Sequence, residues 1–179
     1  KTQLRIMNLD QIDNPIFVCN EEHRFIVAEQ IREINIKNFT ILLEPFGKDT
    51  APAITIAALK ALERETNPTL LVLASDHEIE DTKAFIDSIN IGKKYADQDK
   101  LVSFGILPTS PETGYGYIKA QNPLSTDSPK AEKIEQFLEK PNLLKAKELI
   151  KNKRFSWNSG IFMFKAKVLL KEIEKFSPE

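Results

Sequence analysis

The chain has 179 residues, of which 41% are hydrophobic and 28% charged, with a formal net charge of -1. That is length enough for one domain with a real core, while the near-neutral balance gives no electrostatic footprint for nucleic acid or an anionic membrane. No apolar run approaches the roughly 20 residues of a membrane span, and the single cysteine, Cys19, cannot form an internal disulfide, which points to a reducing, cytoplasmic compartment.

Ile16-Phe17-Val18 predicts a short buried strand. Asn20 then offers an N-cap, Glu21 and Glu22 suit a first helical turn, and Phe25, Ala28, Ile31 and Ile34 form an apolar stripe. Thr40 to Leu43 is the next strand, ending at Glu44-Pro45. Asp49 or Thr50 can cap a second helix that carries Pro52 in its first turn. This helix is rich in small residues (Ala51, Ala53, Ala57, Ala58, Ala61), so it can lie close to a sheet or a ligand. Leu70 to Leu73 is an unbroken apolar run, as in a strand covered on both faces, and small residues carry it to Asp76-His77. A helix after Asp81 has Phe85, Ile89, Gly92 and Ala96 on one face, and Leu101 to Ile106 is a further strand. Strands alternating with helical periods predict a mixed, mainly parallel α/β sheet.

The pattern changes after Pro108. A stretch dense in Pro, Thr and Gly runs to Gly116, then Tyr117 to Ala120 reads as a short strand. Asn122 to Lys130 is a polar loop, and Lys133 to Leu138 a strand that stops at Glu139-Lys140-Pro141. Leu143, Ala146, Leu149 and Ile150 form a helical stripe. Trp157-Asn158-Ser159-Gly160 reads as a turn before the strand Ile161 to Phe164, and a last helix carries Val168, Leu169, Ile173 and Phe176. No internal repeat and no domain linker is visible.

Ligands of open α/β sheets gather outside the carboxyl ends of strands. Asp76 sits at such an end, where it is either a helix N-cap or a ligand for Mg²⁺, a hard cation that selects carboxylate oxygen. His77 reads first as a loop or supporting histidine; with only His23 besides, the sequence gives little basis for a histidine-built zinc site. Glu139 and Lys140, if both belong to the strand, point to opposite faces. They are either a solvated charge pair or, at a strand end, an acceptor for hydroxyls and a point charge for phosphate. Gly114 and Gly116 either supply positive φ for a tight turn or let a ligand approach bare backbone. Asn158 carries both a donor and an acceptor, as a polyol requires. No Ser/His/Asp triad, metal-spaced Cys/His pair, G-x-G-x-x-G or Walker A sequence is present.

Six stretches together resemble the bacterial mannose-1-phosphate guanylyltransferases, a family of sugar nucleotidyltransferases. They are Cys19 to Phe25, Leu43 to Ala53, Ala74-Ser75-Asp76-His77, Pro111 to Ile118, Phe137 to Pro141 and Trp157 to Phe162. They stand in family order and cover nearly the whole chain. Glu139-Lys140-Pro141 marks sugar nucleotidyltransferases in general; the blocks at Thr50, Gly114 and Trp157 mark the mannose/guanosine branch.

The resemblance implies a Rossmann-like nucleotidyltransferase core and transfer of a nucleotidyl group from GTP to mannose 1-phosphate, giving GDP-mannose and pyrophosphate. It implies Mg²⁺ held by Asp76, the sugar phosphate held by Lys140, sugar hydroxyls met by Gly114, Glu139 and Asn158, and a guanine-side wall of Thr50, Ala51 and Pro52. The alternatives are a nucleotidyltransferase for another sugar or base, or a non-catalytic sugar-nucleotide-binding domain. The resemblance also implies a Gly-rich, Arg-containing strand-loop before Lys1 and a second metal-binding Asp beyond the last helix. The 179 residues are therefore expected to form a partial domain, inactive alone, with an open sheet edge that invites pairing with another copy.

Overall fold

The computed structural model describes residues 12–47, 49–126 and 128–177. Among them lie seven strands and five α-helices. Contacts divide the described residues into two compact units: those within 1–70, 75–82 and 165–179 in the first, and those within 71–74 and 83–164 in the second.

The first unit opens with β1 (Ile16–Asn20) and β2 (Thr40–Glu44), paired in parallel from Ile16 opposite Thr40 to Asn20 opposite Glu44. A parallel pair needs a crossover, supplied here by the 3-10 turn Glu21–His23 and α1 (Arg24–Glu33). The Asn20 side chain accepts from the Glu22 N–H at 2.9 Å, so the sequence-predicted cap is observed. Helix α1 buries Ile31, and Phe17 meets Phe39 edge to face at 6.3 Å. Helix α2 (Thr50–Leu62) packs against α5 (Ala166–Phe176), with Ala58 and Ala61 buried. Its small-residue stripe thus serves helix packing. Asp49 occupies the N-cap position with φ 64° and ψ -173°, and its side chain makes no capping bond. That backbone region is almost reserved for glycine, which is why the expected cap does not form. The Ala166 N–H bonds the Pro68 carbonyl at 2.9 Å, and the Lys167 N–H bonds Asn67 Oδ1 at 3.0 Å, fixing the start of α5.

The second unit is built on a sheet of order β3-β7-β5-β6, with β4 also on β7. Its strands are β3 (Thr69–Val72), which enters from the first unit, β4 (Val102–Ile106), β5 (Tyr117–Ala120), β6 (Ile134–Leu138) and β7 (Phe155–Lys165). Two helices cover it, α3 (Thr82–Ala96) and α4 (Leu143–Leu149), the latter capped by Asn142 Oδ1, which accepts from the Lys145 N–H at 2.9 Å. One core cluster joins Ile89, Ala96 and Met163 to Leu71, Phe85, Val102 and Phe104. The other joins Tyr117, Ala146, Leu149 and Phe155 to Leu138, Ile150 and Trp157. Burying each such large side chain contributes about 1.5–3 kcal/mol.

Two expectations change here. The chain is mixed α/β, as predicted, but the ladders β4/β7, β5/β7 and β5/β6 are antiparallel, while β1/β2 is parallel. The reason is β7: eleven residues long, it receives Ile106 on one edge and Tyr117 on the other, both opposite Trp157. The second correction follows from the same strand. Trp157 to Gly160 is no turn before a strand; it lies inside β7, which begins at Phe155.

Candidate active site

Several of the predicted residues meet in the second unit. The β5 register sets Tyr117 opposite both Leu138 and Trp157, so the residues just before β5, just after β6 and at Asn158 fall at neighbouring strand positions. The Asn158 N–H bonds the Gly116 carbonyl at 2.7 Å. A Cβ on Gly116 would lie 2.7 Å from Phe137 Cζ and 3.1 Å from Glu139 Oε2, so any larger residue would have to displace the ends of these two side chains. At Gly114, by contrast, the Cβ position is open space and the residue is exposed. Neither glycine has positive φ, so the positive-φ turn does not form, and Gly114 leaves bare backbone facing open space. The loop before β5 is tied down by the buried Tyr117, whose hydroxyl donates to the Glu112 carbonyl at 2.8 Å. Tyr115, half exposed between the two glycines, stands edge to face on Trp157 at 5.2 Å. The Trp157 indole N–H is buried with no partner among the described residues.

Glu139 and Lys140 do not point apart. Strand β6 ends at Leu138, and Lys140 turns into the left-handed region with φ 39°. That bend brings Lys140 Nζ to 3.4 Å from Glu139 Oε1. The conformation is disfavoured twice, by the Lys Cβ and by Pro141, which pushes its predecessor toward extended backbone. Both side chains are more than half exposed, and an ion pair in such a setting is worth about 0–1 kcal/mol. Little free energy therefore holds the ammonium to this partner.

Asn158 is held by its oxygen. Oδ1 lies 3.3 Å from Ser103 Oγ and 3.3 Å from the Gly160 N–H. The next residue, Ser159, is buried; its hydroxyl donates to the Phe104 carbonyl and accepts from the Ile161 N–H at 3.1 Å. Sequence reading passed over Ser103, Ser159 and Tyr117. A serine inside the apolar run Leu101 to Ile106 was the one visible hint.

The remaining predicted residues belong to the first unit. Asp76 lies in a turn after β3, six residues before α3 begins at Thr82, so it caps no helix. Its carboxylate is 86% exposed, with His77 Nε2 4.0 Å away. Among the described residues no group of three His, Cys, Asp or Glu side chains is placed to hold a metal ion. Thr50, Ala51 and Pro52 form the exposed first turn of α2. Burial, and then the Glu44 carboxylate, pushes the Cys19 thiol up, so the one cysteine is a poor nucleophile at neutral pH. No helix of the described residues is long and apolar enough to cross a membrane.

A mixed α/β chain with acids, an ammonium group and bare backbone beside strand ends carries polar groups where open α/β sheets take their ligands. Comparison with known proteins narrows this: the chain belongs to the nucleotidyl transferase family, whose model matches residues 1–179. It is 45% identical over 179 residues to the mannose-1-phosphate guanylyltransferase of Klebsiella pneumoniae, covering 100% of this chain and 38% of that protein. It is 49% identical over 164 residues to xanthan biosynthesis protein XanB of Xanthomonas campestris pv. campestris strain B100, covering 92% of this chain and 34% of that one. The crystal structure of mannose-6-phosphate isomerase from Helicobacter pylori superposes with a TM-score of 0.82 at 38% identity, over 98% of this chain and 64% of that chain. The chain thus spans about 38% of the length of the first curated relative. The expected Rossmann-like nucleotidyltransferase core is what these likenesses describe.

Proposed function

We propose that the protein carrying this chain transfers a guanylyl group from GTP to mannose 1-phosphate, releasing pyrophosphate and forming GDP-mannose. The observation that carries this reading is the meeting of Gly116, Glu139 and Asn158 at adjacent strand positions, beside Lys140 and the open Gly114 backbone. A carboxylate, an amide and bare backbone suit hydroxyls; an ammonium suits the phosphate of the same sugar. The named relatives favour mannose over other sugars.

In this reaction an oxygen of the sugar phosphate attacks the α-phosphorus of GTP in line, and the bond to pyrophosphate breaks. Two anions must approach, so the work is neutralisation and alignment. Lys140 binds the sugar phosphate and lowers that repulsion. Glu139, Gly114 and Asn158 orient the sugar. The first turn of α2, with Thr50, Ala51 and Pro52, serves as the wall beside guanine. No general base is required, because a phosphate monoester is largely ionised at pH 7 (second pKa about 6). That agrees with the lack of a recognisable nucleophile-base arrangement in the sequence.

Asp76 offers a single exposed carboxylate. That donor set fits Mg²⁺, which binds one or two carboxylates and completes its shell with water and substrate phosphates, and does not fit a metal caged by protein alone. Bound there, Mg²⁺ would supply charge neutralisation on the phosphates. The cytoplasm is the proposed place of action, a reading supported by the lone cysteine.

The test is turnover by the full-length protein, with GTP against UTP and dTTP and mannose 1-phosphate against glucose 1-phosphate. The expected result is preference for GTP and mannose 1-phosphate; preference for UTP or dTTP overturns the assignment. Asp76→Ala should abolish Mg²⁺-dependent turnover, and an unimpaired mutant would remove Asp76 from the metal site.

A further inference from the structure

The mounting of Asn158 says more than that a polar residue faces a ligand. Along the β4/β7 ladder, Ser103 pairs with Phe162 and Gly105 with Asn158, so Phe104 alone stands opposite Ser159, Gly160 and Ile161. Strand β7 bulges there, and bulges near functional sites re-aim side chains. Each residue of the bulge has a task. Gly160 takes φ 70°, which a side-chain-bearing residue resists. The Ser159 hydroxyl bridges the Phe104 carbonyl and the Ile161 N–H, groups that the bulge would otherwise leave unpaired.

The consequence falls on the Asn158 amide. The Gly160 N–H can only donate, and it faces the amide at 3.3 Å. An NH₂ in that place would set two donors against each other, so the oxygen must be there. The Ser103 hydroxyl, at 3.3 Å from the same oxygen, adds a second donor from β4. The amide's acceptor is therefore spent on the protein. Its Nδ2 has no partner among the described residues and is not among their fully buried unpaired atoms, so water reaches it.

We propose that Ser103 and the β7 bulge lock the Asn158 amide oxygen-inward, so that Asn158 recognises a sugar hydroxyl solely by donating to its oxygen, with Ser103 as a positioning residue. This rests on the reading that Asn158 contacts the sugar phosphate. It corrects the simpler expectation that Asn158 offers a ligand both a donor and an acceptor.

The decisive variant is Asn158→Asp in the full-length protein. Aspartate keeps the shape and can accept from Gly160 and Ser103 through one oxygen, but it presents a second acceptor where the NH₂ stood. The KM for mannose 1-phosphate should rise about 10- to 100-fold, at least as much as in Asn158→Ala, because an acceptor would then face an acceptor. Ser103→Ala should raise the same KM about 2- to 10-fold, the size of one neutral hydrogen bond, and leave the KM for GTP unchanged. Ser103→Thr should restore it. A merely structural role for Ser103 would shift both KM values or the melting temperature instead. An impaired Asn158→Ala beside an Asn158→Asp matching wild type overturns the donor-only assignment. An Asn158→Ala with unchanged KM for mannose 1-phosphate overturns the underlying reading as well. Failure of threonine to rescue Ser103→Ala overturns the role of Ser103.

Discussion

Lys140 holds a backbone conformation that both its own Cβ and the following proline oppose. Placing a side-chain-bearing residue in the left-handed region costs roughly 1–2 kcal/mol, partly offset by the smaller chain entropy that Lys, unlike Gly, leaves in the unfolded state. Such outliers persist where the surrounding structure imposes them, and they gather at functional positions. Here the bend turns a residue pair that would alternate along a strand into one with both heads at the same place. Lys140→Gly should therefore be more stable, by about 0.5–1 kcal/mol in chemical denaturation, and should bind the sugar phosphate poorly. Lys140→Ala should lose the same affinity with no gain in stability. Equal stability of the two variants would show that the bend carries no strain. None of this was readable from the sequence, because Glu-Lys-Pro specifies chemistry while φ at Lys140 follows from what β6 does next. Asn35 and Asp99 also have positive φ, at 57° and 62°, but both lie just past helix ends, where such residues tolerate it.

At the scale of elements, the strands and helices were legible wherever apolar periodicity was strong. Strand β2 was expected at Thr40 to Leu43 and runs Thr40–Glu44; β6 was expected from Lys133 and begins at Ile134. The start of β7 was hidden for a physical reason. Asn-Ser-Gly is ordinary turn chemistry, and the chain uses the same chemistry inside a strand to build a bulge. Pairing direction was hidden too, since an antiparallel β4/β7 ladder joins residues more than fifty positions apart. Of the candidate site, the residue types and the strand-end location of Glu139 and Lys140 were legible; the place of Asn158 inside β7 and its oxygen-inward contacts were not, because they depend on β4, and the Glu139-Lys140 pairing was not, because it depends on the backbone turn at Lys140.

Two further outcomes belong to this scale. Tyr117→Phe removes the bond from the strand to the Glu112 carbonyl and should cost about 1 kcal/mol, seen as a lower denaturation midpoint. Glu135 of β6 sits among Lys119 of β5 and Arg154 just ahead of β7; the hydrogen bond from Lys119, with the Arg154 charge, holds its carboxyl below the usual range. A carboxyl depressed by folding stabilises above its unfolded pKa, and that contribution fades as pH falls through the lower folded value. Glu135→Gln should therefore flatten the acid limb of melting temperature against pH below about 4.3, the unperturbed Glu value, while changing it little at low pH where both are neutral. An acid limb identical to wild type would show that the cluster contributes nothing to folding.

For the whole molecule, the assignment of roles follows the division of the chain. Asp76 and the α2 turn belong to one unit; Lys140, Glu139, Gly114 and Asn158 belong to the other. The boundaries fall at 70/71, 74/75, 82/83 and 164/165, none of them marked by a Pro/Gly/Ser-rich linker. That is why sequence reading found no seam: the divisions fall within or beside regular elements, including β3 and β7.

The same interleaving constrains how the protein can be made. During synthesis the amino-terminal residues leave the ribosome first, yet α2 cannot meet α5 until residues 166–176 have followed. Nor can β4 and β5 close on β7 until residues 155–165 are out. Partnerships of such long sequence separation form late and slowly, so α2, β4 and β5 must wait, with their apolar faces open, until residues 155–176 have emerged. Over that interval its open strand edges and apolar faces are exposed to aggregation, and slowing translation upstream should not help it fold.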